Sequence, residues 1–209
     1  MSRTNNIKYG NKADGKIIKY LSGCRGIYAI QKIGDYQTDK YQRELKPTEW
    51  MHNSMNQYLG VDYMIITEGT KYKFQNLGGK YEKLNGLGFD IVNVDTKGFN
   101  YNPKYYGALD NGIVETMLLQ VEKCYGGNLY YGWANNPNHL TTHLVILIND
   151  YMYFVDYKSL VGYCKRFDRN SKELIPPFNK GYGNYELCIK ASVRDMVENK
   201  VITNIIPIS

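Results

Sequence analysis

The stretch that decides the fold is GVDYMIITEGTKYKFQNL, residues 60–77. It contains two runs rich in apolar, β-branched and aromatic residues, Val61–Thr67 and Tyr72–Leu77, separated by Glu68-Gly69-Thr70-Lys71. A glycine within a short polar break between two such runs is typical of a tight turn. The pattern therefore predicts a β-hairpin at the centre of the fold.

Polar side chains occur in both strands of this predicted hairpin. Asp62 lies near the start of the first strand and Gln75 in the middle of the second, so folding the hairpin brings them near each other. A carboxylate and a second oxygen ligand on adjacent strands suit a hard cation such as Mg²⁺. The solvent face of a hairpin carries the same residue types without any chemistry, so both interpretations are open at this point.

Composition bounds the class of protein. The chain has 209 residues, enough for one domain with a core, and its formal net charge of +6 is compatible with a polyanionic partner. Its four cysteines are far apart and form no CxxC pair, which argues against a zinc framework or a disulfide scaffold. The N-terminus lacks a signal-peptide pattern, and the run Leu144–Ile148 is too short to cross a bilayer. The sequence predicts a soluble, cytoplasmic protein.

Most of the positive charge lies near the N-terminus, where Asp14 is the only acid between Arg3 and Arg25. Glycines in this stretch disfavour a stable helix. We therefore expect residues 1–30 to form a basic arm and residues 31–209 to form the domain. An arm beside a groove would steer nucleic acid, although a solvated tail has the same composition. The candidate nucleic-acid-binding residues are Lys8, Lys12, Lys16, Lys19 and Arg25.

Periodicity predicts the remaining elements. Strands are expected at Gly26–Ile33, Phe89–Asp95, His143–Ile148, Tyr151–Asp156 and Tyr185–Ala191, with a turn at Asn149-Asp150. Helices are expected to end near Lys46, to run over Thr48–Tyr58, 114–121 and Ser159–Cys164, and to begin at a Ser192 cap. Thr96–Tyr106 is predicted to be a loop. The order of these elements indicates an α/β protein with a mixed central sheet flanked by helices.

A helix carrying Asp39-Lys40-Tyr41 and Gln57 leads into Gly60-Val61-Asp62 and then into the predicted hairpin. In this arrangement, over about residues 35–200, the chain resembles the restriction-endonuclease-like fold of the PD-(D/E)XK nuclease superfamily, in its compact phage and bacterial forms. The resemblance implies an αβββαβ core.

The resemblance also implies a catalytic site. Its aspartate would be Asp62, which binds Mg²⁺ or Mn²⁺, and its Glu-x-Lys would fall on Gln75-Asn76-Leu77. Glutamine keeps an oxygen ligand but loses the charge, and Leu77 replaces the lysine that positions or activates the attacking water. Lys73, on the same strand face as Gln75, and Lys80 are candidates for that lysine role. Glu44 or Asp39 is the candidate for a further metal ligand.

Three functions follow from these expectations. The first is a Mg²⁺-dependent DNA endonuclease of phage or mobile-element type, which hydrolyses phosphodiesters with a metal-activated water; many such enzymes cut both strands as homodimers. The second is a catalytically inactive nuclease-fold protein that binds nucleic acid or a host protein, as an anti-defence or accessory factor. The third is an interaction protein that binds through its tyrosine-rich loops.

Other candidate residues carry less chemistry. Asp90 and Asp95 are expected to point to opposite faces of their strand, so only one of them can face a site. His139 and His143 have helical spacing, but their neighbours favour a strand lead-in over a zinc site. Exposed aromatics either stack on unpaired bases or pack their loops onto the domain. The aromatics in question are Tyr101, Tyr105, Tyr106, Tyr130, Tyr131 and Trp133.

Overall fold

The structure is a computed structural model that describes residues 3–33, 59–74, 86–167, 171–179 and 184–208. The helices in these ranges are α1 (Arg3–Ser22), α2 (Pro103–Tyr106), α3 (Tyr157–Cys164) and α4 (Val193–Glu198). The strands are β1 (Ile27–Lys32), β2 (Tyr63–Lys73), β3 (Gly88–Phe99), β4 (Leu109–Asp110), β5 (Ile113–Val114), β6 (Thr116–Tyr125), β7 (Asn128–Tyr131), β8 (His143–Ile148), β9 (Tyr151–Asp156), β10 (Leu174–Asn179), β11 (Tyr185–Ser192) and β12 (Ile202–Pro207). The helices predicted to end near Lys46 and to span Thr48–Tyr58 lie outside the described residues.

Two sheets form most of the domain. The larger has six strands in the order β1-β2-β3-β8-β9-β12, and its neighbours are antiparallel except for the parallel pair β3 and β8. The smaller has the order β10-β11-β6-β7 and is antiparallel throughout. The protein is therefore mixed α/β with a mixed central sheet, which confirms the predicted class.

Strand β8 lies in the interior of the larger sheet and is buried on both faces. Its side chains alternate between two cores, with Leu144, Ile146 and Ile148 in one and Val145 and Leu147 in the other. The first core fills the space between the two sheets and includes residues of α3 and α4. The second core lies beneath α1. A nearly continuous apolar run produces this two-sided burial, and the predicted buried strand is confirmed.

The N-terminal segment forms helix α1, although its glycines predict no stable helix. Ala13, Ile17 and Leu21 are four residues apart and are buried against strands of the larger sheet. Glycine in a helix costs about 1 kcal/mol relative to alanine, and tertiary burial of this apolar stripe offsets that cost. Within residues 3–33, the segment predicted to be an arm contributes a helix and an edge strand to the domain.

The predicted helix over residues 114–121 is wrong, because β6 occupies most of this segment. Met117 and Leu119 are buried and alternate with less buried neighbours. The same residues fit both a helical and a period-two pattern, and pairing of β6 with β11 and β7 selects the strand.

The predicted hairpin is also wrong. Strand β2 continues through the Glu68-Gly69-Thr70-Lys71 break, where it has a bulge relative to β3. Tyr63 lies opposite Val94 at one end of β2, and Lys73 lies opposite Gly88 at the other. Asp62, directly before β2, and Lys73, at its last residue, therefore lie at opposite ends of one strand.

Local signals hold well in the second half of the chain. Strands β8 and β9 have the predicted bounds, and Asn149 and Asp150 between them have positive φ of 50° and 60°, as a tight hairpin turn requires. Ser192 caps α4 by accepting a hydrogen bond from the Asp195 N–H. Among the described helices, none combines the length and the apolar composition needed to cross a membrane.

Candidate functional site

The register of β2 on β3 brings Asp62 to the middle of β3. The Asp62 N–H donates to the Val94 carbonyl oxygen at 3.0 Å. The Thr96 N–H donates in turn to Oδ2 of Asp62 at 2.9 Å. Asp62 therefore lies beside the three residues Asp95-Thr96-Lys97, which the sequence predicts at the end of a strand and in a loop.

Strand alternation divides these three residues between the two faces of the sheet. Asp95 is 2% exposed, and Lys97, on the same face, places its Nζ 2.5 Å from Asp95 Oδ1. The Thr96 hydroxyl lies 2.8 Å from Oδ1 of Asp14 in α1 and 3.0 Å from Oδ2 of Asp62. The cluster thus connects three carboxyl groups with the Lys97 ammonium.

The carboxyl groups of Asp62 and Asp95 are hydrogen-bonded to each other and differ in acidity. Burial raises the pKa of Asp95 well above its ordinary value of 3.8, and Lys97 offsets this only in part. Burial also raises the pKa of Asp62, but Lys97 and hydrogen bonds from Asp95 and Thr96 outweigh it, so the net pKa is lowered. Asp95 therefore retains its proton to higher pH and donates it in a hydrogen bond to the Asp62 carboxylate.

A groove of about 970 Å³ lies over the face of the sheet that carries Asp95 and Lys97. One wall belongs to the hairpin of β6 and β7, and another to the loop before β8. The described residues that line it are Gly60, Asp62, Asp95, Lys97, Gln120, Val121, Glu122, Lys123, Tyr125, Leu129, Tyr130, Tyr131, Trp133, Asn135, Asn136, Asn138 and His139. Carboxylates, lysines, amides and aromatic rings thus share one open cleft.

His139 contributes a neutral imidazole to this groove. Burial, followed by the positive charges of Lys97 and Lys123, lowers its pKa to about 4. Its Nδ1 lies 3.0 Å from the Tyr157 hydroxyl, and that hydroxyl is 2.7 Å from the Trp133 carbonyl oxygen. When Tyr157 donates to that carbonyl, Nδ1–H of His139 donates to Tyr157, which leaves Nε2 as the unprotonated nitrogen.

Of the residues that the sequence predicts for the catalytic site, the structure describes Asp62 and Lys73, which lie at opposite ends of β2. Asp62 lies in the groove, whereas Lys73 is exposed at the far end of β2. Because β2 continues through the predicted turn, folding does not bring Lys73 next to Asp62. Gln75, Lys80, Glu44 and Asp39 lie outside the described residues.

The lysines predicted to bind nucleic acid lie on α1, which covers the face of the large sheet opposite the second sheet. Lys12, Lys16, Lys19 and Arg25 are exposed, and the side chain of Lys8 lies outside the described residues. Lys16 forms an ion pair with Asp150 at 2.5 Å. None of the described α1 residues lines the groove.

Two other polar residues have structural partners. The Asp90 carboxylate accepts hydrogen bonds from the backbone N–H groups of Thr70 and Lys71 in the β2 bulge. His143 lies at the start of β8, with Nδ1 3.0 Å from the Thr142 hydroxyl. Asp90 thus holds the bulge, and His143 lies in a strand lead-in, as the sequence predicts.

Sequence reasoning misses Asp14 and Lys97, and it anticipates Asp95 only as an acid on the third strand. The sequence does contain a signal for Asp95 and Lys97, because Asp95-Thr96-Lys97 directly follows the alternating run Phe89–Val94 and so continues a strand pattern. An acid and a lysine two residues apart share a strand face. The Glu-x-Lys motif, which the family resemblance places at Gln75-Asn76-Leu77, has the same spacing.

The chemistry of the donor set fits a small divalent cation. Asp62 and Asp95 supply carboxylate oxygens, and Mg²⁺ is commonly bound by one or two carboxylates together with water and substrate phosphates. Within the described ranges no group of three or more His, Cys, Asp or Glu side chains is arranged to hold a metal ion.

Comparison of the chain with family models, with curated proteins and with solved structures found no match. The function is therefore inferred from the geometry of the groove.

Proposed function

We propose that this chain is a Mg²⁺- or Mn²⁺-dependent DNA endonuclease with a restriction-endonuclease-like core. The observation that carries the proposal is the position of Asp62, at the start of one strand, beside Asp95 and Lys97 on the next. These two carboxyl groups and the lysine, on neighbouring strands, would hold a cation that supplies an activated water for phosphodiester hydrolysis.

The topology supports the same class. Within the described ranges, helix α1 is followed by the antiparallel strands β1, β2 and β3, and β8 lies parallel to β3. Residues 34–58, between β1 and β2, are outside those ranges. This order agrees with the first part of an αβββαβ core. The connection from β3 to β8 departs from it, because it contains β4–β7 and only the short helix α2.

The chain's own groups have distinct roles in this proposal. Asp62 and Asp95 would hold the cation, which supplies an activated water and neutralises phosphate charge. Asp95 must give up its proton to act as a ligand. Lys97, whose Nζ lies 2.5 Å from Asp95 Oδ1, would donate to a phosphate oxygen and stabilise the negative charge that develops during attack.

The first test replaces Asp62 with asparagine. Removing its charge should weaken Mn²⁺ binding by at least roughly 10- to 100-fold, the loss that follows mutation of a residue hydrogen-bonded to a metal ligand. It should also abolish nicking of plasmid and branched DNA. Calorimetry measures the binding, and gel electrophoresis measures the nicking. Asp110→Asn is the matched control, because Asp110 is exposed and does not line the groove. Wild-type protein that neither binds the metal nor cuts DNA would refute the proposal.

Lys97 is expected to set the pH dependence of cleavage. Burial raises the pKa of Asp95, and Lys97 lowers it, so cleavage rises with pH as Asp95 loses its proton. Lys97→Gln should move the midpoint of the pH–rate profile upward and lower the rate by about 10²–10³-fold, as for loss of one electrostatic donor. Lys97→Arg retains the charge and should keep the midpoint. An unchanged midpoint in Lys97→Gln would exclude this role.

A second candidate function is DNA binding without catalysis. It is favoured by the near-complete burial of Asp95, because a carboxyl group that keeps its proton does not act as a metal ligand. Such a protein would bind DNA without binding Mn²⁺ at Asp62 and Asp95, so the calorimetry described above separates it from the endonuclease.

A further inference from the structure

The aromatic side chains of the two tyrosine-rich segments divide into two groups. Tyr101, Tyr105, Tyr106 and Trp133 pack on or within the first core. The tip of the β6–β7 hairpin is different: Tyr125, Leu129, Tyr130 and Tyr131 are between 48% and 68% exposed. The packing interpretation thus accounts for the first group and leaves the hairpin unexplained.

The hairpin places one lysine and two tyrosine rings on one face, and Glu186 of β11 lies opposite the lysine on that face. Lys123 lies directly opposite Tyr130 in the β6–β7 register, so their side chains are on the same face. Tyr125 follows Lys123 by two residues and shares that face. All three residues line the groove.

This face is continuous with the candidate catalytic site. Lys123 lines the same groove as Asp95 and Lys97, so the hairpin lysine and the β3 lysine face one cleft. A ligand on the hairpin would therefore extend towards Asp62 and Asp95. A lysine beside two exposed aromatic rings matches a phosphate and the neighbouring bases of an unpaired nucleic acid strand.

We propose that the Lys123, Tyr125 and Tyr130 face of the β6–β7 hairpin binds single-stranded DNA by base stacking. The choice of DNA rests on the proposed nuclease function, and the inference adds the substrate class: single strands, flaps or junctions with unpaired bases. Paired bases in a regular duplex keep their faces covered by their neighbours and gain little from such a surface.

The test measures binding without cleavage. Fluorescence anisotropy of a labelled oligothymidylate and of a labelled duplex of equal length is recorded with full-length protein in EDTA. Wild-type protein should bind the single strand at least about fivefold more tightly than the duplex. Tyr130→Ala should weaken single-strand binding by at least about fivefold, the lower end of the effect of losing one stacked base. Tyr130→Phe keeps the ring and should retain the affinity.

Tyr72→Ala is the matched control, because Tyr72 is 49% exposed, close to the 48% of Tyr130, and does not line the groove. It should bind like wild type. Lys123→Gln should reduce the slope of log affinity against log salt by about 0.7, the value for one phosphate contact to a single strand. Equal wild-type affinity for both DNAs, or equal losses in Tyr130→Ala and Tyr72→Ala, would overturn the proposal.

The two proposals fail separately. EDTA removes divalent cations from the assay, so the anisotropy measures DNA binding by the hairpin without metal bound at Asp62 and Asp95. Tyr130-dependent binding in a protein that never cuts DNA would retain the hairpin proposal and refute the nuclease. Metal-dependent nicking would retain the nuclease proposal. If the same protein showed no preference for unpaired bases and no effect of Tyr130→Ala on binding, the hairpin proposal would be refuted.

Discussion

Asp95→Asn is expected to abolish cleavage and, in the absence of metal, to stabilise the protein. Burial raises the folded-state pKa of Asp95 well above 3.8, so between the unfolded and folded pKa values the folded chain holds a proton that the unfolded chain has released. Stability therefore falls as pH rises from the unfolded towards the folded pKa. Asparagine mimics the protonated carboxyl group, so the variant does not lose stability in this way as pH rises. We therefore expect the Tm of Asp95→Asn at neutral pH to be higher than that of wild type.

Calorimetric unfolding with and without Mn²⁺ checks this result. In acid, where wild-type Asp95 also holds its proton, the stability difference should shrink. Mn²⁺ should raise the Tm of wild type and leave that of Asp95→Asn unchanged, because the variant lacks a charged ligand. A variant that is less stable than wild type at neutral pH would indicate that the contact of Asp95 with Lys97 is mainly structural.

Ile17→Ala is expected to destabilise the fold by about 2–4 kcal/mol, the usual cost of removing a fully buried isoleucine side chain. Ile17 is 0% exposed and packs in the core beneath α1. The effect follows from α1 being a layer of the domain, whereas truncation in a solvated arm would change little. Urea or thermal denaturation of the full chain measures it.

Ile18→Ala supplies a control in the same helix. Ile18 is only partly buried, so its truncation should cost roughly 1 kcal/mol or less. The gain in helix propensity from isoleucine to alanine is the same at both positions and cancels in the comparison. Equal, small effects of the two substitutions would show that α1 does not support the sheet.

Elements encoded by local pattern are predicted well from the sequence. Strands β8 and β9 follow from an apolar run, a polar two-residue turn and a second apolar run, and their bounds agree with the structure. The cap at Ser192 depends on residues within one turn. In these cases the deciding contacts are close in the sequence, so no distant residue is needed to choose the conformation.

The hairpin prediction fails because a distant residue decides the conformation of its central glycine. A Cβ atom at Gly69 would lie within 2.2–2.7 Å of Asp90 atoms, and the Asp90 carboxylate accepts the next two backbone N–H groups. Glycine is therefore required for close approach to β3 in a bulge and not for a turn. The same composition fits both roles.

The site is missed for a related reason. Residues 96–99 of β3, Thr-Lys-Gly-Phe, include a glycine and a lysine that weaken the local strand signal. They stay extended because they pair with β8 in parallel, more than forty residues later. With that pairing, Lys97 joins Asp95 on one face. Asp14 enters through the packing of α1, which the charge pattern alone does not predict.

The central claim, that Asp62 and Asp95 together hold a catalytic cation, is tested most directly by anomalous diffraction from crystals grown with Mn²⁺. We predict a peak between the two carboxyl groups, at about 2.1 Å from an oxygen of each, as for a small hard cation, and no such peak in crystals of Asp95→Asn. Wild-type crystals that bind Mn²⁺ only elsewhere, or that show Asp95 still paired with Lys97 and no metal, would contradict it.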